Sequence, residues 1–169
     1  PIPNTGVYAI LCVWPDADTA ARRIGQTSIF ARYRKRAQEH WTVYLSPTSA
    51  RGTWSGTEPF LPNTEPVAGP LAALTRATIK PSILTKFWGR VPDISAMIGS
   101  DPNGVFKIGI GEVPMLHQIT FSIWPGANEM AAFARKGGPH AAAIQAVRDG
   151  AWFHEELYAR FAILGDTGT

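Results

Sequence analysis

The stretch Val105-Phe-Lys-Ile-Gly-Ile-Gly-Glu-Val-Pro-Met-Leu-His-Gln-Ile-Thr-Phe-Ser-Ile-Trp124 reads as two β-strands folded back on each other. β-Branched and aromatic residues fill Val105–Glu112 and Met115–Trp124, and Val113-Pro114 between them is a tight turn, so the pair is an antiparallel hairpin. Upstream, Leu71–Ile79 is a further strand. Pro81 or Ser82 then opens a helix through Ile98, with Ile83, Leu84, Phe87, Trp88, Val91, Ile94 and Ile98 as its apolar residues, and Pro92 should kink it. Downstream lie helices over 127–136 and 139–148 and a closing strand near Leu157–Leu164. The order β-α-β-β-α-β is the ferredoxin-like split plan, an antiparallel sheet covered by helices on one face.

The N-terminal part repeats half of this plan. Val7–Trp14 reads as a strand that stops at Pro15, followed by a helix from Ala17, capped by Asp16 or Asp18, a second helix Ile29–Glu39, and a strand Trp41–Leu45. Shifting the sequence by 110 residues lays Trp14-Pro15 on Trp124-Pro125, Ala17 on Ala127, Ala21 on Ala131 and Ala31 on Ala141. Residues 1–46 are therefore read as the second half of a first ferredoxin-like unit, 47–70 as a connecting loop and 71–169 as a complete second unit. The fold class expected is α+β, tandem ferredoxin-like units of the dimeric α+β barrel type, the first unit incomplete. Half a unit leaves a sheet edge and face open, so a missing N-terminal segment, a partner chain as in a homo-oligomer, or both are expected to cover it.

Composition narrows the function classes. The 169 residues are 45% hydrophobic and carry a net charge of +3, a modest excess for a nucleic-acid binder, so no nucleic-acid partner is expected. The longest apolar run, Val7–Trp14, is well under the ~20 residues of a membrane-spanning helix. The single cysteine, Cys12, excludes an internal disulfide and a cysteine-based zinc cluster, and fits a reducing, cytoplasmic compartment. Arg32-Tyr-Arg-Lys-Arg36 reads as a solvated helix face, or as a contact to an anionic membrane surface that would make the protein membrane-peripheral. Gly109-Ile-Gly111 lacks the third glycine and the following helix of a dinucleotide fingerprint, and no GxxxxGK[ST], GxSxG or HExxH occurs.

Four histidines remain to be weighed. His40 and His154, beside Glu39 and Glu155, read as solvated polar positions. His140 follows Gly137-Gly138-Pro139 in the first turn of a helix and shares a face with Ala143, Ile144 and Val147. Spacing leaves two readings open, a satisfied core histidine or an imidazole offering a ring nitrogen to haem iron, with Ala143 leaving room for a flat macrocycle. On the hairpin, alternation sets His117 with Ile119, Phe121 and Ile123, opposite Gln118, Thr120 and Ser122. The polar set, with Lys107, Gly109 and Gly111 of the neighbouring strand, is expected to face the barrel interior, and His117 the helices. Arg76, a charge in an otherwise apolar strand, needs an anion: a carboxylate such as Glu112, or a haem propionate or substrate oxyanion.

The runs PNTGVYAILCVWPD, LSPTSARGTWSG, GPLAALTRATIKP, FWGRVPDISAMIGSDPNGVFKIGIGEVP, HQITFSIWP, MAAFARKGGPHAAAI and WFHEELYARFAIL span most of the chain and resemble the spheroidene monooxygenase family of acyclic-carotenoid ketolases. The resemblance implies oxidation of C-2 of a linear carotenoid, an apolar small-molecule substrate, to a ketone, with dioxygen, reduced ferredoxin and a haem cofactor. It also implies further residues before Pro1. His140 and His117 both fall in segments matching the family pattern, and His140 occupies the place of the histidine ligand in small haem proteins of the dimeric α+β barrel type. His140 is thus the expected iron ligand and His117 the second choice. Ala143, Ile144, Lys107 and Gly109 are expected to contact haem, and Arg76, Gln118 or Thr120 to hydrogen-bond the reacting oxygen. Other readings are a haem enzyme of the same fold acting on another small molecule (an aldoxime dehydratase-like or peroxide-using activity) and a non-catalytic haem-binding protein.

Overall fold

The computed structural model describes residues 2–63, 68–92, 95–96, 104–135 and 152–168. In chain order the elements are α1 (Ala17–Gln26), α2 (Ser28–Arg36), β1 (Trp41–Gly52), β2 (Leu71–Ile79), a 3₁₀ turn (Pro81–Ile83) leading into α3 (Leu84–Trp88), β3 (Phe106–Ile110), β4 (His117–Trp124), α4 (Ala127–Arg135) and β5 (Phe153–Gly168). The strands form one sheet in the order β1-β5-β2-β4-β3, and every neighbouring pair is antiparallel. The last four give the ferredoxin-like order of a complete unit, as the hairpin implies. β1 is added outside β5.

Several boundaries differ from the sequence reading. β1 runs on to Gly52, so residues 47–52 are strand and not loop. Pro47 is tolerated because β1 is an edge strand and its pairing with β5 shifts register between Pro47 and Ser49. α2 stops at Arg36, and the helix opened at Pro81 is interrupted at Gly89 instead of kinking at Pro92. β5 begins at Phe153, four residues before the expected start. Val7–Trp14 forms no strand among the described residues and no helix either, with Tyr8 81% and Val13 60% exposed. A strand is defined by its partners, and no described strand pairs with this one. The expected helix over 139–148, and with it His140, Ala143 and Ile144, lies outside the described residues.

The sheet curls far enough for side chains at the ends of its two edge strands to touch, without the strands pairing. At one end Trp41 of β1 packs edge-on against Phe106 of β3, ring centroids 5.0 Å apart. At the other, the Trp54 indole just after β1 donates to Glu112 just after β3, 3.1 Å. The enclosed face carries Ala72, Leu74, Ile119, Ile123, Leu157, Ala159 and Phe161, and Phe60 from the loop after β1 closes over them. The Phe60 ring meets Phe161 edge to face at 5.0 Å. On the other face α4 packs through Phe133 and Met130 onto Trp124, Leu71 and Ala73.

This reverses the expected facing of β4. Its pairing puts His117, Ile119, Phe121 and Ile123 in line with Thr78, Arg76, Leu74 and Ala72 on the enclosed face. Gln118, Thr120 and Ser122, with Lys107 and Gly109, look to the helix side, where Lys107 Nζ lies 5.2 Å from the Trp124 ring centre and the Trp124 indole donates to Ser122. Gln118, Ser122 and Ile123 are all buried. With both faces dry, polar alternation does not mark a cavity; the small polar residues lie beneath helices and the bulky apolar ones fill the curl.

Candidate functional site

One end of the enclosed face is polar, built around Arg76. Its side chain is 2% exposed on the central strand β2, which sits between β4 and β5. A guanidinium removed from water needs carboxylates placed for its planar fork. Two are present: Arg76 Nε donates to Glu112 Oε2 at 2.9 Å and Nη1 to Glu155 Oε2 at 2.6 Å. Nη1 also reaches Thr78 Oγ1 at 3.3 Å, and the Trp54 ring stacks on the guanidinium, 4.9 Å from centroid to Cζ.

The register explains the convergence. Thr78 pairs with His117 on one side and Glu155 on the other, so three polar side chains stand abreast across β4, β2 and β5, one step beyond Arg76. Glu112 arrives from the turn after β3. That turn is wider than Val113-Pro114 alone: it spans 111–116, with Met115 in the left-handed region at φ 64° and the Leu116 amide closing onto Val113 O at 3.2 Å.

Glu155 is the anchor. Beyond Arg76 it accepts from Thr53 Oγ1 (2.9 Å), the Ser55 amide (3.0 Å) and the Gly56 amide (2.7 Å). The last two belong to a turn, Trp54-Ser-Gly-Thr57, whose central residues both have positive φ, 52° and 76°, and whose ends bond each other at 2.8 and 3.2 Å. Positive φ at both central positions is the hairpin geometry that points successive amides outward. The Gly56 amide, ahead of the opposing desolvation and the Ser55, Thr53 and Arg76 bonds, holds the Glu155 carboxyl down at about 2, against an ordinary 4.5.

His117 completes the cluster. Its Nδ1 lies 3.1 Å from Glu112 Oε2, the oxygen that also faces Arg76 Nε. A carboxylate only accepts, so Nδ1 carries the hydrogen, and in the neutral ring Nε2 keeps a lone pair. A carboxylate behind an imidazole is the usual support of a metal-bound histidine. The donor chemistry at His117 thus fits single-imidazole ligation of haem iron, while no group of three or more His, Cys, Asp or Glu among the described residues is placed to hold a bare ion.

The expected site residues therefore divide. Arg76 has its carboxylate partner in Glu112, with Glu155 added, and His117 stands beside them. Gln118, Thr120, Lys107 and Gly109 lie together on the opposite face. His154 and His40 are exposed, as the sequence suggests. Glu155, Trp54 and Thr53 went unread. The signal for Glu155 is the alternation Phe153, Glu155, Leu157, Ala159, Phe161, which appears once β5 starts at Phe153. A cavity of about 300 Å³ flanks the Phe60 loop, lined by Ala50, Glu58, Pro59, Leu61, Pro62 and Leu157, at the small end for a ligand pocket. No helix among the described residues is long and apolar enough to cross a membrane.

Comparison with known proteins adds the following. No protein-family model matches the chain. The spheroidene monooxygenase of Cereibacter sphaeroides is 55% identical over 171 residues, covering 99% of this chain and 52% of that protein. That of Rhodobacter capsulatus is 50% identical over 173 residues, all of this chain and 71% of the relative, and that of Rubrivivax gelatinosus is 36% identical over 98% of this chain and 64% of the relative. The chain thus spans about half the length of the first of these relatives. Among solved structures, a candidate monooxygenase from Fusobacterium nucleatum superposes with a TM-score of 0.53 at 10% identity, over 88% of this chain and 64% of that one, a likeness of fold.

Proposed function

As the chain belongs to the spheroidene monooxygenase family, we propose that it forms part of an enzyme that oxidises C-2 of an acyclic carotenoid to the ketone, using haem, dioxygen and reduced ferredoxin. The observation that carries this reading is the match along the whole chain to the Rhodobacter capsulatus enzyme. A polyene end is apolar, and the cavity flanking the Phe60 loop is lined in part by Pro59, Leu61, Pro62 and Leu157, which supports this reading.

Haem iron would supply the activation of dioxygen. The chain would supply the ligand, and two positions serve this reading. His140, with Ala143 and Ile144, is the first on the sequence reading, and these three lie outside the described residues; Gln118 and Thr120 would orient the reacting groups by hydrogen bonds. His117, backed by Glu112, would serve from the enclosed face, with Arg76 fixing the position of Glu112. The basic run Arg32–Arg36 would give the ferredoxin, or an anionic membrane surface, a place to dock.

Absorption spectra of the purified protein in oxidised, reduced and CO-bound forms test the cofactor, and turnover of spheroidene with reduced ferredoxin tests the reaction. His140→Ala should abolish the Soret band while His117→Ala keeps it. The reverse pattern moves the ligand to the enclosed face. Absence of the band from the unmodified protein rejects the haem reading.

A further inference from the structure

Four features of the N-terminal third share one explanation. First, β1 corresponds through the 110-residue repeat to the start and middle of β5, and Val7–Trp14 to β4. In the complete unit β2 lies between those two strands, pairing with β5 on one side and β4 on the other. No described strand lies between β1 and Val7–Trp14. Second, Val7–Trp14 has no regular secondary structure and leaves Val7, Tyr8, Ile10, Leu11 and Val13 exposed, a cluster a solvated segment would not carry.

Third, α1 and α2 lack a floor. Their one buried residue is Ala20, and Ile29 and Tyr33 are 43% and 40% exposed. Their counterpart α4 packs on Trp124 of β4 and on Leu71 and Ala73 of β2. The first half-unit has the matching Trp14 and nothing matching Leu71 and Ala73. Fourth, the long edge of β1 away from β5 has, among the described residues, a single backbone bond, Asn63 N to Pro47 O at 2.7 Å. An open edge of that length is a template for another strand.

We infer that in the complete protein a strand from a segment preceding Pro1 inserts between β1 and Val7–Trp14, in the role that β2 plays between β5 and β4. Its chemistry follows from that role: buried on both faces, it is a run of apolar and small residues like Leu71-Ala-Ala-Leu-Thr75. The repeat places it as well as the occupant. The counterparts of residues 71–110 fall before Pro1, and the relative from Rhodobacter capsulatus extends beyond the matched region by more than a quarter of its length. In a second copy of this chain β2, the strand with that role, is already paired on both edges. The insertion gives α1 and α2 a sheet to cover and turns the open edge into the middle of a continuous two-unit sheet.

Cys12 is a built-in reporter. It is exposed here, and its counterpart Ser122 is buried and pairs with Ala73 of β2. Its alkylation is to be compared between the 169-residue chain and the natural protein with the residues preceding Pro1, alongside light scattering and amide hydrogen exchange of both. The expected result is fast labelling in the 169-residue chain and labelling at least a hundredfold slower in the longer protein while it remains monomeric, with Val7–Trp14 and the outer amides of β1 newly protected. Equal labelling rates overturn the inference. So does protection that appears in the 169-residue chain itself as it dimerises, which would make a second copy the occupant, and so does a mature protein that begins at Pro1.

Discussion

Glu155 ties three parts of the molecule together, since its donors are Arg76 of β2, Thr53 just after β1 and the Ser55 and Gly56 amides at the tip of the turn that follows. Its carboxyl is held at about 2, below the ordinary 4.5. The stabilisation is therefore fully present above about pH 4.5 and is lost as the pH falls toward 2. Urea midpoints of the wild type and Glu155→Gln should differ at neutral pH, the wild type being more stable, and converge as the solution is acidified through that window; parallel curves would remove Glu155 from this role. Arg76 is the other half of the arrangement. Arg76→Met leaves Glu112 and Glu155 facing a buried position with no counter-charge, at a cost of about 3 kcal/mol. Adding Glu112→Gln should restore part of that loss, and a double-mutant cycle measures how much.

At the scale of elements, the end of β1 has one conformation open to it. Gly52 has φ 96°, and a Cβ there would run into the Glu156 carbonyl. Gly52→Ala should therefore cost about 2 kcal/mol and loosen the Trp54–Thr57 turn, which thermal unfolding and tryptophan fluorescence will register. The elements that were legible in the sequence are those whose partners lie in the same chain. The hairpin β3–β4, β2 and the order of the second unit follow from strand composition and turn residues because each strand meets its neighbours. Val7–Trp14 has strand composition and no described neighbour, so composition alone does not make it a strand among the described residues. Pro47 hid the second half of β1, because proline stops a central strand but not an edge. The facing of β4 was illegible for a different reason: Ile119, Ile123, Gln118 and Ser122 are all buried, so alternation distinguishes two sides without telling which one is enclosed. Arg76 was legible as a charge needing a carboxylate, and Glu112 as its partner. Glu155 was not, because its strand was begun too late.

Over the whole molecule, the curl of the sheet and the aromatic plug inside it decide what the enclosed face can admit. Phe60 is 5% exposed and sits against Phe161. Phe60→Ala should destabilise the fold by about 3 kcal/mol through the space it leaves, and should increase uptake of an apolar dye or carotenoid fragment at that face, read by quenching of Trp54. Unchanged uptake would place ligand entry elsewhere. The segment bearing Phe60 is fastened at both abutments, to Glu155 through the Trp54–Thr57 turn and to Pro47 through the Asn63 amide. Phe60 is thus seated by a strap pinned on either side, so cutting the Glu155 pin should loosen the ring's seat against Phe161 as well as the turn itself.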